Sequence, residues 1–450
     1  VLDHGQEDLD IAEVLEIPAH LVSIRTNEVL CSTFIFFKGI NTVRRILVEP
    51  DTPMKKLRTL QHALLAATAT LALAHTAWSA EGATPALERW RSYNGVSWGR
   101  GDAAATPFRN SVNAPIAGIH FDARGRAFVS TPRLVAADAP ATLSLLDTAS
   151  DGGPARLTAF PSDDGNAIAA APATHLRNVL GFHVDTRNGW LWALDMGFVA
   201  GEAEAPAGGQ KIVVYELGSG RVVRRIALDG VADRKGSFLN DIAVDERRRI
   251  AYVADSGLRS APDNQAGLVV ADFATGRSRR VLHQHPSVMP QPGARVFSHG
   301  AEVWPGQPLV LGINGIALSP DAGTLYWTVT TGTQAHAIAT AVLRDTTADA
   351  ARVAAAVVPI GDVGGNTDGI ATGRDGRLYI TDVTRNGIVR YDPATRAMAV
   401  LATDAGVHWP DTPAFTPDGF LVFTASHLNQ HFAGAVKAGD ERYELWRLRP

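Results

Sequence analysis

The chain has one cysteine, Cys31, among 450 residues. A single cysteine forms no intrachain disulfide and no paired-thiolate zinc site, so a large packed core must hold the fold. Lys and Arg form no continuous stripe, and the net charge of −4 leaves no electrostatic footprint for nucleic acid. Neither a glycine-rich phosphate loop nor a Gly-x-Ser-x-Gly nucleophile elbow occurs. Those absences argue against nucleotide chemistry and a covalent serine route. Turn formers are plentiful instead, with 42 Gly and 25 Pro.

Six related phrases punctuate the chain. They run over residues 117–130, 180–195, 240–256, 314–330, 368–382 and 411–426. Each reads as a short apolar strand, a polar turn with Asp or Gly, then a second strand of alternating aromatic and aliphatic residues. Their spacing averages roughly 60 residues, in the range of radially repeated all-β units. Between them lie hairpin phrases such as 210–228, 266–282 and 386–402, with no helical periodicity. An inner and an outer pair make four strands, so the expected fold is an all-β, six-bladed β-propeller over residues 112–450. Residues 81–111 read as a lead-in that could supply a closing strand, and Glu441–Pro450 as the last strand of the final blade.

The N-terminal region predicts export. Met54 is followed by Lys55, Lys56 and Arg58, a Leu/Ala-rich run from Leu60 to Ala74, and then Ala77-Trp78-Ser79-Ala80. A basic start, a short apolar run and small residues at cleavage spacing make residues 54–80 a secretory signal peptide, cut after Ser79 or Ala80. The run is too short for a stable membrane anchor. Residues 1–53 then read as an upstream, non-native extension. The expected location is secreted or periplasmic.

Function is sought where the blades converge. Two residues before the first core aliphatic of each phrase stands a column: Ala117, Leu180, Asn240, Asn314, Asp368 and Asp411. Equivalent positions in a propeller face one axis, so four side-chain oxygens should meet at one mouth of the channel. Asp241 stands beside the column. Carboxylates and carboxamides facing one point suit a divalent cation, Ca²⁺ or Mg²⁺, held by Asn240, Asn314, Asp368 and Asp411. The alternative is that Asn314-Gly315 and Asp368-Gly369 are structural caps. His408 and His427 flank the sixth phrase and His183 follows the column in the second, so these three are the general-base candidates. His120 and His299 are weaker ones.

The phrases GIHFDARGRAFVSTPR (118–133), GWLWALDMG (189–197), FLNDIAVD (238–245), GLVVADF (267–273) and INGIALSPD (313–321) resemble the Yellow / major royal jelly protein family. NTDGIATGRDGRLYITD (366–382) is similar to its bacterial branch. The resemblance implies a secreted six-bladed propeller, with members associated with dopachrome conversion, pigmentation, amine binding or storage. At the level of fold the chain is similar to the gluconolactonase / senescence marker protein group, which implies an axial metal on Asn and Asp. The first blade lacks the acidic ligand of that group, having Ala117 there. Two functions follow as expectations. One is an enzyme acting on a small cyclic carbonyl compound, by lactone hydrolysis or dopachrome-type tautomerisation. The other is a non-catalytic binder of an amine or aromatic ligand at the same mouth.

Overall fold

The computed structural model describes residues 85–99 and 105–450. The expectations for residues 1–53 and 54–80 lie outside the described residues. Among those described, no helix is long and apolar enough to cross a membrane.

The six phrases form the inner strand pairs of six antiparallel sheets around one axis, a six-bladed β-propeller. Blade two shows why alternation gives this result. In Val179–Asp185 the side chains of Phe182 and Val184 are buried in the core, while His183 between them is half-exposed along the channel. Trp190–Asp195, Lys211–Glu216 and Val222–Ala227 complete that blade outward. Apolar faces of adjacent blades pack on each other: Trp192 and Phe238 share one cluster, and Tyr252 and Trp327 share the next. Burying whole aromatic rings there contributes about 1.5–3 kcal/mol per side chain.

The lead-in supplies strands to two blades. Glu88–Tyr93 is the outermost strand of blade six, antiparallel to Tyr443–Leu448, and Val96–Gly99 lies parallel to Ala155–Ala159 at the edge of blade one. The ring therefore closes with strands from both ends of the described chain. Blade four departs from expectation. Its outer hairpin is interrupted by the short helices Thr340–Arg344 and Ala350–Ala355, between strands Gln334–Ala339 and Val358–Asp362.

Five of the six innermost strands carry a register shift at or just beyond the polar column, for example between Ile313 and Ile316 and between Thr367 and Ile370. Such bulges re-aim side chains. They also explain the glycines after Asn314 and Asp368. A Cβ on Gly315 would stand 2.6 Å from the Asp368 carbonyl oxygen, and one on Gly369 2.5 Å from the Thr412 nitrogen. Each glycine lets the next blade's backbone approach, so these dipeptides are not hairpin turns.

Candidate functional site

The inner strands enclose a cavity of about 620 Å³ along the axis. At one end it is lined by exposed residues of the inner hairpin turns, including Arg187, Arg247, Asp321 and Arg374. At the other end it reaches Leu180, Asn240, Asn314 and Asp411, which are shielded from solvent or nearly so. The column thus marks the covered end of the channel, where the sequence reading expected an open mouth. The cover comes from the long loop before blade four. Val296, Val303, Leu309 and Leu311 of that loop pack with Ala117, Val383, Trp409 and Leu428, and Leu180 packs against the group.

The column residues are held by a second shell of hydroxyls. Asn240 donates its side-chain nitrogen to Ser256 at 3.1 Å, and Asn314 donates to Thr330 at 2.7 Å and to Asp368. Those bonds commit the amide nitrogens and leave the carboxamide oxygens free. Asp368 accepts from Asn314 on Oδ1 and from the Trp409 indole on Oδ2 at 2.5 Å. Both its oxygens are engaged, and it does not line the cavity. Asp411 accepts the Thr412 N–H on Oδ1 at 2.6 Å. Asp241 ties blade three to blade four, accepting from Ile242 N–H at 2.7 Å and from Ile316 N–H at 3.0 Å.

Electrostatics confirms that three carboxylates sense each other. Burial pushes Asp368 up to about 7, against its hydrogen bonds from Trp409 and Asn314 and with the Asp241 charge adding to the rise. Burial and then the Asp368 charge push Asp411 well above the usual carboxylate range. Burial raises Asp241 to about 6, opposed by its two backbone hydrogen bonds and by His183. Among the described residues, no group of three His, Cys, Asp or Glu side chains is placed to hold a metal. The oxygen-bearing residues lining this end of the cavity are instead Asn240, Asp241, Asn314 and Asp411. That all-oxygen set fits a hard cation and not zinc.

The three histidine candidates separate. His183 lines the channel and donates Nε2–H to Glu246 Oε1 at 3.1 Å. Burial raises Glu246, but the His183 bond and charge outweigh it and hold the carboxyl below its usual range. Asp185 stands behind Glu246, fully buried and raised by burial despite its bonds from Asn188. His120 lies beside His183, ring centroids 6.0 Å apart, and burial lowers it to about 3, so it stays neutral. Glu246 was missed in the sequence because DERRR (245–249) reads as a solvated turn.

His408 and His427 do not line the cavity. They stack with His299 of the covering loop, ring centroids 3.9 Å and 4.2 Å apart and ring planes within 14°. His299 donates to the Val407 carbonyl at 3.0 Å. Parallel rings aim their lone pairs side by side, so the stack is not a chelate. His427 and His431 have a four-residue spacing suited to zinc on a helix, yet His431 donates Nδ1–H to Val112 O at 2.9 Å and packs on Tyr443. A general-base role for His408 or His427 on a ligand in the channel has no geometric support.

No curated protein matches the chain. Among solved structures, a luciferin-regenerating enzyme is 10% identical, covering 76% of this chain and 94% of that one with a TM-score of 0.44. A gluconolactonase from Xanthomonas campestris is 17% identical, with coverages of 75% and 86% and a TM-score of 0.42. A chain of a nidogen/laminin complex is 14% identical, with coverages of 65% and 82% and a TM-score of 0.38. Residues 178–405 match the model for the major royal jelly protein, and this six-bladed chain belongs to the major royal jelly protein family.

Proposed function

We propose that the chain is an exported propeller enzyme that takes a small cyclic carbonyl compound into its axial channel, for lactone hydrolysis or a dopachrome-type tautomerisation. One observation carries the reading: a single cavity of about 620 Å³ holds both an oxygen-donor cluster, Asn240, Asn314 and Asp411, and an imidazole–carboxylate pair, His183 and Glu246. The pair reaches toward that cluster, since His183 acts on Asp241, the residue next to Asn240 in the same strand.

His183 is the acid/base group in this reading. Its Nε2–H is committed to Glu246, which leaves the Nδ1 lone pair to accept a proton. In hydrolysis, His183 takes a proton from water as the water oxygen attacks the carbonyl carbon. It returns the proton to the ring oxygen as the ring C–O bond breaks. In tautomerisation, the same nitrogen removes a ring C–H proton and delivers it to the carbonyl oxygen. Glu246 fixes the tautomer and stabilises the imidazolium. Ca²⁺ or Mg²⁺ held by Asn240, Asn314 and Asp411 would supply carbonyl polarisation and offset the repulsion among the buried carboxylates.

Metal analysis of purified protein, with turnover assays on a lactone panel and on dopachrome, tests this. His183→Ala should lower kcat by about 100-fold or more. Glu246→Gln should shift the pH profile as well as kcat. Full activity in His183→Ala would overturn the assignment. A second reading, a binder of amines, is favoured by one feature: His183 is the sole basic side chain that acts on Asp241, Asp368 or Asp411 among the described residues. A ligand ammonium would then replace the cation. Amine affinity without turnover of any panel member would support it.

A further inference from the structure

The open end of the channel has its own charge pattern, which neither the donor cluster nor the His183–Glu246 pair uses. Inner hairpin turns of blades two, three and five place Arg187, Arg247 and Arg374 in the cavity lining, and all three are exposed. Two other arginines of these turns are neutralised, and Arg249 lies over the Phe273 ring outside the lining. Arg248 pairs with Asp245 at 3.0 Å, and Arg377 pairs with Asp392 at 3.0 Å. Among the described residues, the side chains of Arg187 and Arg374 have no hydrogen-bond or ion-pair partner, and Arg247 acts only at a distance, on Asp321.

Carboxylates at this end do not cancel the three cations. Asp122 is held by Arg126 at 2.7 Å and Asp245 by Arg248, while Glu246 keeps its charge beside a neutral His183. Asp321 is the other uncancelled carboxylate of this end of the lining, accepting from Ser319 at 2.6 Å and from the Gly323 N–H at 2.9 Å, so two negative charges face three cations. The rim is therefore net positive, while the covered end is acidic. Between them the walls include Ile242, Val244, Ile316 and Ile370, all buried. A concave, apolar-walled passage with one sign of charge at its opening concentrates the opposite charge there.

We propose that Arg187, Arg247 and Arg374 form an anion-selecting rim, so that the channel admits small ring compounds carrying a carboxylate in preference to neutral or cationic ones. Arginines from three different blades line the same end of the cavity, and a guanidinium offers a planar fork that matches a carboxylate. The rim lies about six residues along the inner strands from the covered end, roughly 20 Å. A small ligand held at the rim does not reach the donor cluster. Selection therefore acts at the open end, where Glu246 joins the His183 ring to the Arg187 backbone, as a salt-sensitive gain in affinity for an anion. This inference rests on the channel being the ligand site.

The test compares 2-pyrone-5-carboxylate with neutral 2-pyrone by NMR titration, following the His183 ring. It uses wild-type protein and an Arg187→Gln/Arg247→Gln/Arg374→Gln variant, at low and high salt. The exposed arginines make no structural bonds, so the variant should fold. Wild-type protein should bind the carboxylate about tenfold more tightly at low salt. That preference should vanish at high salt and in the variant, with affinity for 2-pyrone unchanged. Equal affinity for both probes, or a preference that survives the variant, overturns the rim while leaving the channel site standing. Carboxylate binding that leaves His183 unperturbed overturns it as external ion pairing. If neither probe perturbs His183, the channel reading fails and the rim fails with it.

Discussion

The indole nitrogen of Trp409 donates to Oδ2 of Asp368 at 2.5 Å, across a boundary between the apolar cover and the acidic end of the channel. Trp409 holds a left-handed backbone, φ 57°, to make that reach. The bond supplies a buried carboxyl with a partner that water would otherwise provide. Trp409→Phe keeps most of the packing and removes the donor. It should destabilise the fold by about 1–3 kcal/mol, the cost of an unsatisfied buried acceptor. Urea unfolding of the two proteins measures it.

Two buried carboxyls and a buried histidine should act on stability in opposite directions over the same pH range, about 4 to 7. Asp368 and Asp241 are raised to about 7 and about 6, so the folded state binds more protons than the unfolded one above the ordinary value of 3.8. Their contribution is full at low pH and is lost as pH rises through those values. His427 is lowered to about 4, by burial first and then by His408, His431 and His299. Its contribution is full above 6.5 and is lost as pH falls toward 4. In thermal denaturation against pH, His427→Gln should therefore steepen the loss of stability between about pH 4 and 6.5, because the carboxyl contribution then acts unopposed.

Added Ca²⁺ or Mg²⁺ should raise Tm more above about pH 7, where the carboxylates are ionised, than below their raised values, where they are protonated. Asn314→Ala should weaken that effect by about tenfold in cation affinity. A cation effect independent of pH, measured by differential scanning calorimetry, would count against the oxygen-donor site.

Gly369→Ala should cost about 1–3 kcal/mol, because its Cβ would meet the backbone of Thr412 and the ring of Pro413, neither of which is a flexible chain end. Gly376→Ala offers a contrast: nothing stands within 4 Å of its Cβ, and only its φ of 80° resists the change. Denaturant midpoints for the pair separate close approach from turn conformation.

Much of the ring was legible in the chain, because each inner strand pair carries its own alternation and its own turn. Phe182, Val184 and Leu191 identify their blade without help from the others. The column was legible for the same reason, as a register position. The covered end was not. Val296, Val303, Leu309 and Leu311 are scattered through a loop rich in His, Pro and Gly, and they become one apolar surface only when folded over Trp409. Glu246 was hidden by its arginine neighbours. The stack of His299, His408 and His427 joins segments with no shared pattern, so local sequence carried no signal of it.

The strand Glu88–Tyr93 gives the ring a late-acting latch. Arg89 meets Glu444 across 355 residues of chain. During synthesis that first strand has no partner until Tyr443–Leu448 has emerged, so blade six is the last to be completed. Contacts of such long sequence separation slow folding, and the finished ring is correspondingly resistant to unravelling from either end.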